Sequence, residues 1–159
     1  MRLGTIGVYG FDETTFHGRL REFGADLLVD IRRRRGVRGA HRAFANATRL
    51  QHALAERGVA YAHVLELAPT EDMRDLQRQA DAAEGVGGRD RERLAPAYVA
   101  AYGASLGDEA FARVLEAVRD ARAPVLMCVE ADPSACHRSI AAAWLAERLS
   151  LGGVTHLTA

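Results

Sequence analysis

Apolar residues along the 159-residue chain fall into five short runs that are separated by longer amphipathic stretches. The runs lie at 3–8, 27–31, 59–64, 124–129 and 154–157, and their length and composition are typical of β-strands. The run at 27–31 is nearly continuous, as expected for a strand covered on both faces. Strands that alternate with helices at this pitch favour parallel pairing. The sequence therefore predicts one three-layer α/β domain over 1–159, with a mostly parallel sheet and helices on both faces.

Capping residues mark the predicted helix boundaries. Asp12 is the expected N-cap of the first helix, because Phe11 and Phe16 occupy the two hydrophobic-staple positions around it and Gly24 follows the last apolar position. The second helix is expected to begin at a capping box formed by 48–51. The remaining helices are expected to begin near Thr70, near Pro96, at Ser105 or Asp108, and at Ser134, with a glycine-rich break at 85–88.

Composition narrows the class of protein. All 21 basic residues are arginine and they balance 21 acidic residues, so the net charge is zero. No apolar run approaches the roughly 20 residues that span a bilayer, and the first residues lack a signal-peptide pattern. Two cysteines exclude a disulfide framework and favour a reducing compartment, so we expect a cytoplasmic protein without a membrane partner.

The zero net charge hides a strong local asymmetry. Seven arginines, two histidines and no acid lie at 31–55, whereas acids outnumber arginines at 66–92. Because attraction of an anion depends on local potential, a neutral total does not exclude an anion site.

Ligands of open α/β sheets bind beyond the carboxyl ends of the strands. In this chain that rule selects the segments 7–10, 30–42, 66–70 and 128–138, which hold much of its polar chemistry. The first of them is too short for a dinucleotide fingerprint, since the full glycine pattern is missing.

The segment 128–139 carries the sharpest signal. If Ser134 caps the following helix, Cys136, His137 and Arg138 lie in or beside its first turn, where unpaired N–H groups favour an anion. Arg138 would add a planar donor for phosphate or carboxylate, and the same field would make Cys136 a better nucleophile. The competing interpretation is that both cysteines are buried apolar residues and that Arg138 pairs with an acid.

The same segment also offers metal ligands. Cys128, Cys136 and His137, with Glu130 or Asp132, have the softness that zinc or iron prefers. We expect no metal cofactor, because the spacing is not that of a zinc finger and neighbouring side chains diverge along a helix.

The arginine-rich loop begins at the end of the second predicted strand. Asp30 is expected to be a buried carboxylate that holds Arg32 or a backbone turn. Arg33 and Arg38 then suit the phosphates of a nucleotide or of a nucleic-acid strand. Aromatic residues for base stacking are sparse, with only Phe44 nearby, so phosphate contact is favoured over base reading.

The third predicted strand carries three further candidates. Tyr61 and His63 share one face by period-two alternation, and Glu66 follows at the carboxyl end. Glu66 suits a general base or an arginine partner, whereas a strand histidine is more often structural. The other histidines at 17, 52 and 156 are interpreted as structural.

Taken in order, these motifs resemble the bacterial and archaeal domain of unknown function 488 family. The resemblance covers nearly the whole chain and rests on Thr5-Ile6-Gly7, Asp30-Ile31-Arg32, a basic loop with Phe44, Tyr61-Ala62-His63, Glu66-Leu67, Cys128-Val129-Glu130 and Cys136-His137-Arg138-Ser139. It implies a shared α/β architecture and a shared site, but no established reaction. Two positions depart from the family pattern: Gly-His-Ser is replaced by Gly7-Val8-Tyr9, and Leu-Gly by Leu67-Ala68.

Three hypotheses follow. The first is an enzyme that binds a small anionic ligand or nucleotide through Arg32, Arg138 and a helix N-terminus. In this hypothesis Cys136 is the nucleophile, Glu66 or His137 transfers the proton, and Glu130 is an orienting group. The second is a nucleic-acid-binding protein that uses the loop 32–42, and the third is a metal-dependent protein.

Overall fold

In the computed structural model, which describes residues 1–87 and 90–159, the expected strands and helices alternate along the chain. The five strands are β1 (Leu3–Gly7), β2 (Leu27–Asp30), β3 (Ala60–His63), β4 (Pro124–Cys128) and β5 (Val154–Leu157). The α-helices are α1 (Glu13–Phe23), α2 (Ala47–Ala55), α3 (Glu71–Glu84), α4 (Pro96–Ser105), α5 (Asp108–Val118) and α6 (His137–Arg148). Short 3₁₀ helices cover Ala40–Ala45, Leu65–Leu67 and Pro133–Ala135.

The strands form one sheet in the order β3-β2-β4-β1-β5, and every pairing is parallel. Side chains alternate between its two faces. Leu27 and Val29 pack with α4, α5 and α6, whereas Leu28 packs with α1 and α2 on the other face. The expectation of one α/β domain with helices on both faces is therefore confirmed.

The start of α1 follows the sequence signals. Asp12 caps the helix by accepting a hydrogen bond from the Thr15 backbone, and Thr15 completes the capping box. The rings of Phe11 and Phe16 meet edge to face at 5.9 Å, and Gly24 ends the helix with a positive φ of 74°.

Two other predicted caps are wrong, because Thr48 already lies inside α2 and Ser134 lies in a 3₁₀ turn before α6. The N-cap of α2 is Asn46 rather than Thr48, and the Asn46 side chain accepts a hydrogen bond from the Val37 backbone in the arginine loop. Ser134 lies in a 3₁₀ turn that is stabilised by Asp132, so the N-cap of α6 is Cys136.

The remaining boundaries agree more closely. Thr70 caps α3, Pro96 occupies the first turn of α4, and α5 begins at Asp108 behind Gly107. The glycine-rich break begins at Gly85, which ends α3, while its last predicted residue, at 88, lies outside the described residues. Among the helices in the described ranges, none combines the length and the apolar character needed to cross a bilayer.

Candidate functional site

A cavity of about 440 Å³ opens at the carboxyl edge of the sheet. The loops after β1, β2 and β4 contribute Tyr9, Arg32 and Glu130, and the segment before α3 contributes Pro69. All four segments selected by the carboxyl-end rule therefore meet at one cavity, as expected for an open parallel sheet.

The cavity wall is strongly basic. Eight arginines line it, and Glu130 is the single acid among its described lining residues. The arginines are Arg32, Arg33, Arg34, Arg38, Arg42, Arg74, Arg78 and Arg91. Five of them pair with acids outside the lining, whereas Arg33, Arg38 and Arg42 have no carboxylate partner in the described chain, so these three account for most of the positive potential of the cleft.

Asp30 anchors the arginine loop, as the sequence predicts. Its fully buried carboxylate accepts hydrogen bonds from Nε and Nη2 of Arg32, at 2.8 and 2.7 Å, and from the Tyr61 hydroxyl at 2.7 Å. His63 Nε2 lies 2.8 Å from the Arg32 carbonyl and holds the same turn. Tyr61 and His63 thus support Arg32 from β3 and do not line the cavity.

One nitrogen of the Arg32 guanidinium is available to a further acceptor. The side chain is only 3% exposed, it lines the cavity, and its Nη1 atom has no hydrogen-bond partner within the described residues. A buried guanidinium nitrogen without an acceptor is costly, because the group has lost its water without replacement.

The other lining arginines differ in how firmly they are held. Arg91 forms a 2.6 Å ion pair with Asp81, and Arg33 donates to the Pro69 carbonyl at 2.6 Å. Arg42 stacks over the Tyr9 ring, with 4.1 Å between the guanidinium carbon and the ring centroid. Neither Arg38 nor Arg42 has a carboxylate partner in the described parts of the chain, so both are available to an anion.

Arg138 takes a different position from the one expected. It is fully buried, does not line the cavity, and donates to the backbone carbonyls of Glu130 and, at 2.9 Å, Ala131. Gly7 allows this packing, because a Cβ atom at Gly7 would lie 1.8 Å from the Glu130 carbonyl oxygen. Arg138 therefore fixes the loop after β4 and pairs neither with an acid nor with the cavity.

A compact cluster of two cysteines and one histidine forms part of the cavity wall. Nδ1 of His137 lies 3.7 Å from Sγ of Cys128 and 3.9 Å from Sγ of Cys136. Nε2 of the same ring lies 3.2 Å from the Ile31 carbonyl. The sequence argument that neighbouring side chains diverge fails here, because Cys136 is the N-cap and has extended backbone angles, φ −136° and ψ 139°.

The pKa values of the two thiols in this cluster are shifted in opposite directions. Burial opposes ionisation of Cys136, but a hydrogen bond from Cys128, aided by His137 and Arg138, brings the pKa of Cys136 well below its usual value. That hydrogen bond and burial raise the pKa of Cys128 well above its usual value. Of the two thiols, Cys136 at the N-terminal end of α6 is therefore the one whose ionisation the surroundings favour.

The two glutamates of the candidate site are separated. Glu130 lines the cavity, where burial and then the nearby Cys136 raise the pKa of its carboxyl group. Glu66 lies outside the cavity, 3.6 Å from Arg113, because the 3₁₀ turn that buries Leu67 points Glu66 toward α5. The structure does not bring Glu66 to Cys136.

Sequence reasoning missed the wall formed by α3, α4 and the segment between them. Arg74, Gln77, Arg78, Arg91 and Tyr98 all line the cavity. Spacing of three or four residues along α3 was the available signal, since it places the first three on one helix face. Only the tertiary contact of this helix with the arginine loop makes that face part of the site.

These features define an α/β protein with an arginine-lined cavity at the carboxyl edge of a parallel sheet. Residues 13–145 match the family model for the domain of unknown function DUF488. The chain belongs to this family, as the ordered motifs indicate. No curated protein sequence and no solved structure matches it significantly.

The two residues that depart from the family pattern after β1 lie in different surroundings. Val8 is fully buried in the core between the sheet and α1, whereas Tyr9 lines the cavity beneath Arg42. In this chain an aromatic ring therefore lies in the cavity wall next to Arg42, which has no carboxylate partner in the described part of the chain.

Proposed function

We propose that this protein is an enzyme that binds a phosphate-bearing or other anionic small molecule in the arginine-lined cavity and acts on it at the Cys136–His137 end. The observation that carries the proposal is Arg32, a buried, carboxylate-anchored guanidinium at the cavity whose Nη1 atom has no hydrogen-bond partner among residues 1–87 and 90–159.

The state of Arg32 favours ligand binding over a purely structural role. Asp30 neutralises the guanidinium and fixes its orientation, so the side chain has little rotamer freedom left to lose when a ligand binds. An anionic oxygen next to Nη1 would supply the missing acceptor. Charge-assisted bonds of this kind are about twice as strong as neutral ones.

Arg38 and Arg42 supply the outer part of the proposed anion site. Both lack carboxylate partners in the described chain, and Arg42 is held over the Tyr9 ring, which limits its motion without neutralising it. An anion is thus bound between a fixed inner arginine and two outer ones.

The cavity suits a small molecule that also has an apolar part. Its volume of about 440 Å³ is within the usual range for ligand pockets. Val37, Leu94 and Tyr98 lie in the wall among the arginines, which is the mixture that a nucleotide or a similar phosphate ester needs. The concave arrangement favours such a ligand over a nucleic-acid strand, which needs an open basic groove.

The compartment belongs to the same proposal. Both cysteines are free, and Cys136 must remain reduced to take part. We therefore assign the protein to the reducing cytoplasm.

The test is a panel of inorganic phosphate, pyrophosphate, AMP and ATP, followed by thermal shift and calorimetry at low ionic strength. We expect at least one of these anions to raise the unfolding temperature. The double variant Arg38→Ala/Arg42→Ala should bind it at least roughly tenfold more weakly, since each charge-assisted bond contributes about 1.5–3 kcal/mol.

The matched control is Arg21→Ala/Arg119→Ala, which removes the same charge from exposed positions outside the cavity wall. It should bind like the wild type. Stabilisation by no anion, or equal weakening in both double variants, would overturn the proposal. Steeply salt-dependent binding of a single-stranded oligonucleotide with no response to small anions would favour the nucleic-acid alternative instead.

A further inference from the structure

The cluster of Cys128, Cys136 and His137 is more than a nucleophile beside a base. All three side chains are buried, and their three potential ligand atoms lie within 4.8 Å of one another. A thiol–imidazole pair would need only one of the cysteines, yet both sulfurs converge on the same ring nitrogen. The second thiol requires an explanation of its own.

The spacing of the three atoms fits a tetrahedral metal ion. With Zn–S bonds of about 2.3 Å and Zn–N bonds of about 2.0–2.1 Å, the sulfur and nitrogen corners of a tetrahedron lie roughly 3.6 Å apart. The two sulfur-to-nitrogen distances here are 3.7 and 3.9 Å. The two sulfurs lie within 4.8 Å of each other, so side-chain shifts of about 1 Å or less would bring them to the roughly 3.8 Å that two sulfur corners require.

The tautomer of His137 is the one that a metal requires. Its Nε2 atom faces the Ile31 carbonyl at 3.2 Å, and a carbonyl can only accept a hydrogen bond. The proton is therefore assigned to Nε2, so in the neutral ring, the form that binds a metal, the lone pair of Nδ1 is directed at the two sulfurs. A backbone carbonyl that orients the second nitrogen is the usual outer contact of a metal-bound histidine.

The backbone places each ligand firmly. Cys128 ends the central strand β4, Cys136 caps α6, and His137 is the first residue of that helix. The loop that joins the two cysteines is held by Arg138 through the carbonyls of Glu130 and Ala131. Preorganisation of this kind is expected where a few side chains must present fixed geometry.

One corner of the tetrahedron is open. Cys128, Cys136 and His137 all line the arginine cavity, so an ion among them would face that cavity with its fourth position. Two cysteines and a histidine with a free fourth position is a ligand set of catalytic zinc sites, in contrast to closed structural sites.

We propose that Cys128, Cys136 and His137 bind a thiophilic divalent metal ion such as Zn²⁺. The fourth coordination position of this ion opens into the arginine-lined cavity. The metal site stands on its own geometry. Its role toward an anionic oxygen in the cavity rests on the proposed function.

The first test measures metal content and ligand type. The full chain is purified under a thiol reductant, stripped with a chelator, and titrated with Zn²⁺ or Co²⁺. We expect one equivalent of Zn²⁺ to bind and to raise the unfolding temperature. The Co²⁺ form should show a thiolate charge-transfer band and the intense visible absorption of tetrahedral cobalt.

The second test assigns the ligands. Cys136→Ser and His137→Gln should each weaken Zn²⁺ binding by at least about tenfold, because losing even an outer contact of a bound metal costs that much affinity. His52→Gln is the control, because this exposed histidine lies on α2 against the other face of the sheet. If Cys136→Ser fails to fold, the cobalt spectrum of the wild type and the His137→Gln titration still decide the matter.

Several outcomes would overturn the metal site. They are no bound Zn²⁺ and no shift in unfolding temperature, cobalt without a thiolate band, or cysteines that react with iodoacetamide in the metal-free chain and are not protected by Zn²⁺. The two proposals can be separated, because phosphate binding to the metal-free chain and its loss in Arg38→Ala/Arg42→Ala report on the anion site alone. Metal binding in His137→Gln reports on the cluster alone.

Discussion

Asp30 and Arg32 form a buried, two-pronged ion pair at the carboxyl end of β2, in which the Asp30 carboxylate is fully enclosed and Arg32 is 3% exposed. The pair is nearly neutral as a unit, which makes its burial tolerable. It also directs the chain from the sheet into the arginine loop, because Asp30 accepts a further hydrogen bond from the Arg32 backbone at 3.1 Å. The fold and the candidate site thus depend on the same contact.

Asp30→Asn should therefore destabilise the protein strongly. The substitution keeps the side-chain shape but leaves the Arg32 guanidinium buried without a counter-charge, which costs about 3–5 kcal/mol. Urea unfolding monitored by circular dichroism measures the loss. Glu116→Gln, at an exposed residue 3.9 Å from Arg113, is the matched control and should cost less than about 1 kcal/mol. Similar losses in the two variants would contradict the assignment of the buried pair.

Tyr61, which donates a hydrogen bond to Asp30, should make stability depend on pH in the alkaline range. Burial, followed by the hydrogen bond to Asp30, raises the pKa of Tyr61 from 10.0 to about 12. A group whose pKa is higher in the fold contributes stability that is fully present below the unfolded value, and that stability is lost as pH rises through the folded value. Stability should therefore fall as pH rises from about 10 to about 12.

Tyr61→Phe should flatten this fall, because phenylalanine has no proton to lose. The chain has no lysine, but Tyr98, Tyr102 and Cys128 also have raised pKa values and contribute to the fall in both proteins, so the difference between the two curves is what reports on Tyr61. The measurement is urea unfolding of both proteins at several pH values above neutrality. Parallel curves for wild type and variant would show that Tyr61 does not carry the effect.

Much of this site could be predicted from local sequence. The strand after α1 ends in Asp30 and the rule for parallel sheets places the following loop at a ligand edge, so the arrangement of Asp30, Arg32 and the loop follows from patterning alone. Cys136 and His137 were placed in or beside the first turn of α6 although the predicted Ser134 cap was wrong. A two-residue error at a helix start matters little when the neighbouring strand is placed correctly.

What could not be predicted depends on directions that only tertiary packing sets. Glu66 and Arg138 have suitable chemistry and suitable positions in the chain, yet one turns outward to Arg113 and the other inward to backbone carbonyls. Conversely, Arg74 and Arg78 reach the cavity from a helix that the carboxyl-end rule does not include. The convergence of Cys136 with its neighbour His137 required the extended backbone of an N-cap, which spacing along a helix does not reveal.

Gly7→Ala should disrupt the loop that carries Glu130. A methyl group at position 7 would lie 1.8 Å from a backbone oxygen, so β1 or the loop after β4 must move. We expect severe destabilisation, seen as a much lower unfolding temperature or as insoluble protein. Gly18→Ala is the control: it lies inside α1 with no atom within 4 Å of the new methyl group, and should stabilise the helix by about 0.5–1 kcal/mol. Equal behaviour of the two variants would contradict the close packing at Gly7.

Arg138→Met distinguishes a positioning arginine from a binding one. Methionine fills much of the buried volume, but the carbonyls of Glu130 and Ala131 lose their hydrogen bonds to a charged donor, and each such bond contributes about 1.5–3 kcal/mol. The variant should therefore lose stability, and its affinity for an anion should fall as well, because the released loop forms part of the cavity wall. Arg42→Ala is the counterpart, since its half-buried side chain should affect affinity and leave stability nearly unchanged. Urea unfolding and phosphate titration on both variants give the comparison, and an Arg138→Met protein with wild-type stability but weaker phosphate binding would place that guanidinium on the ligand after all.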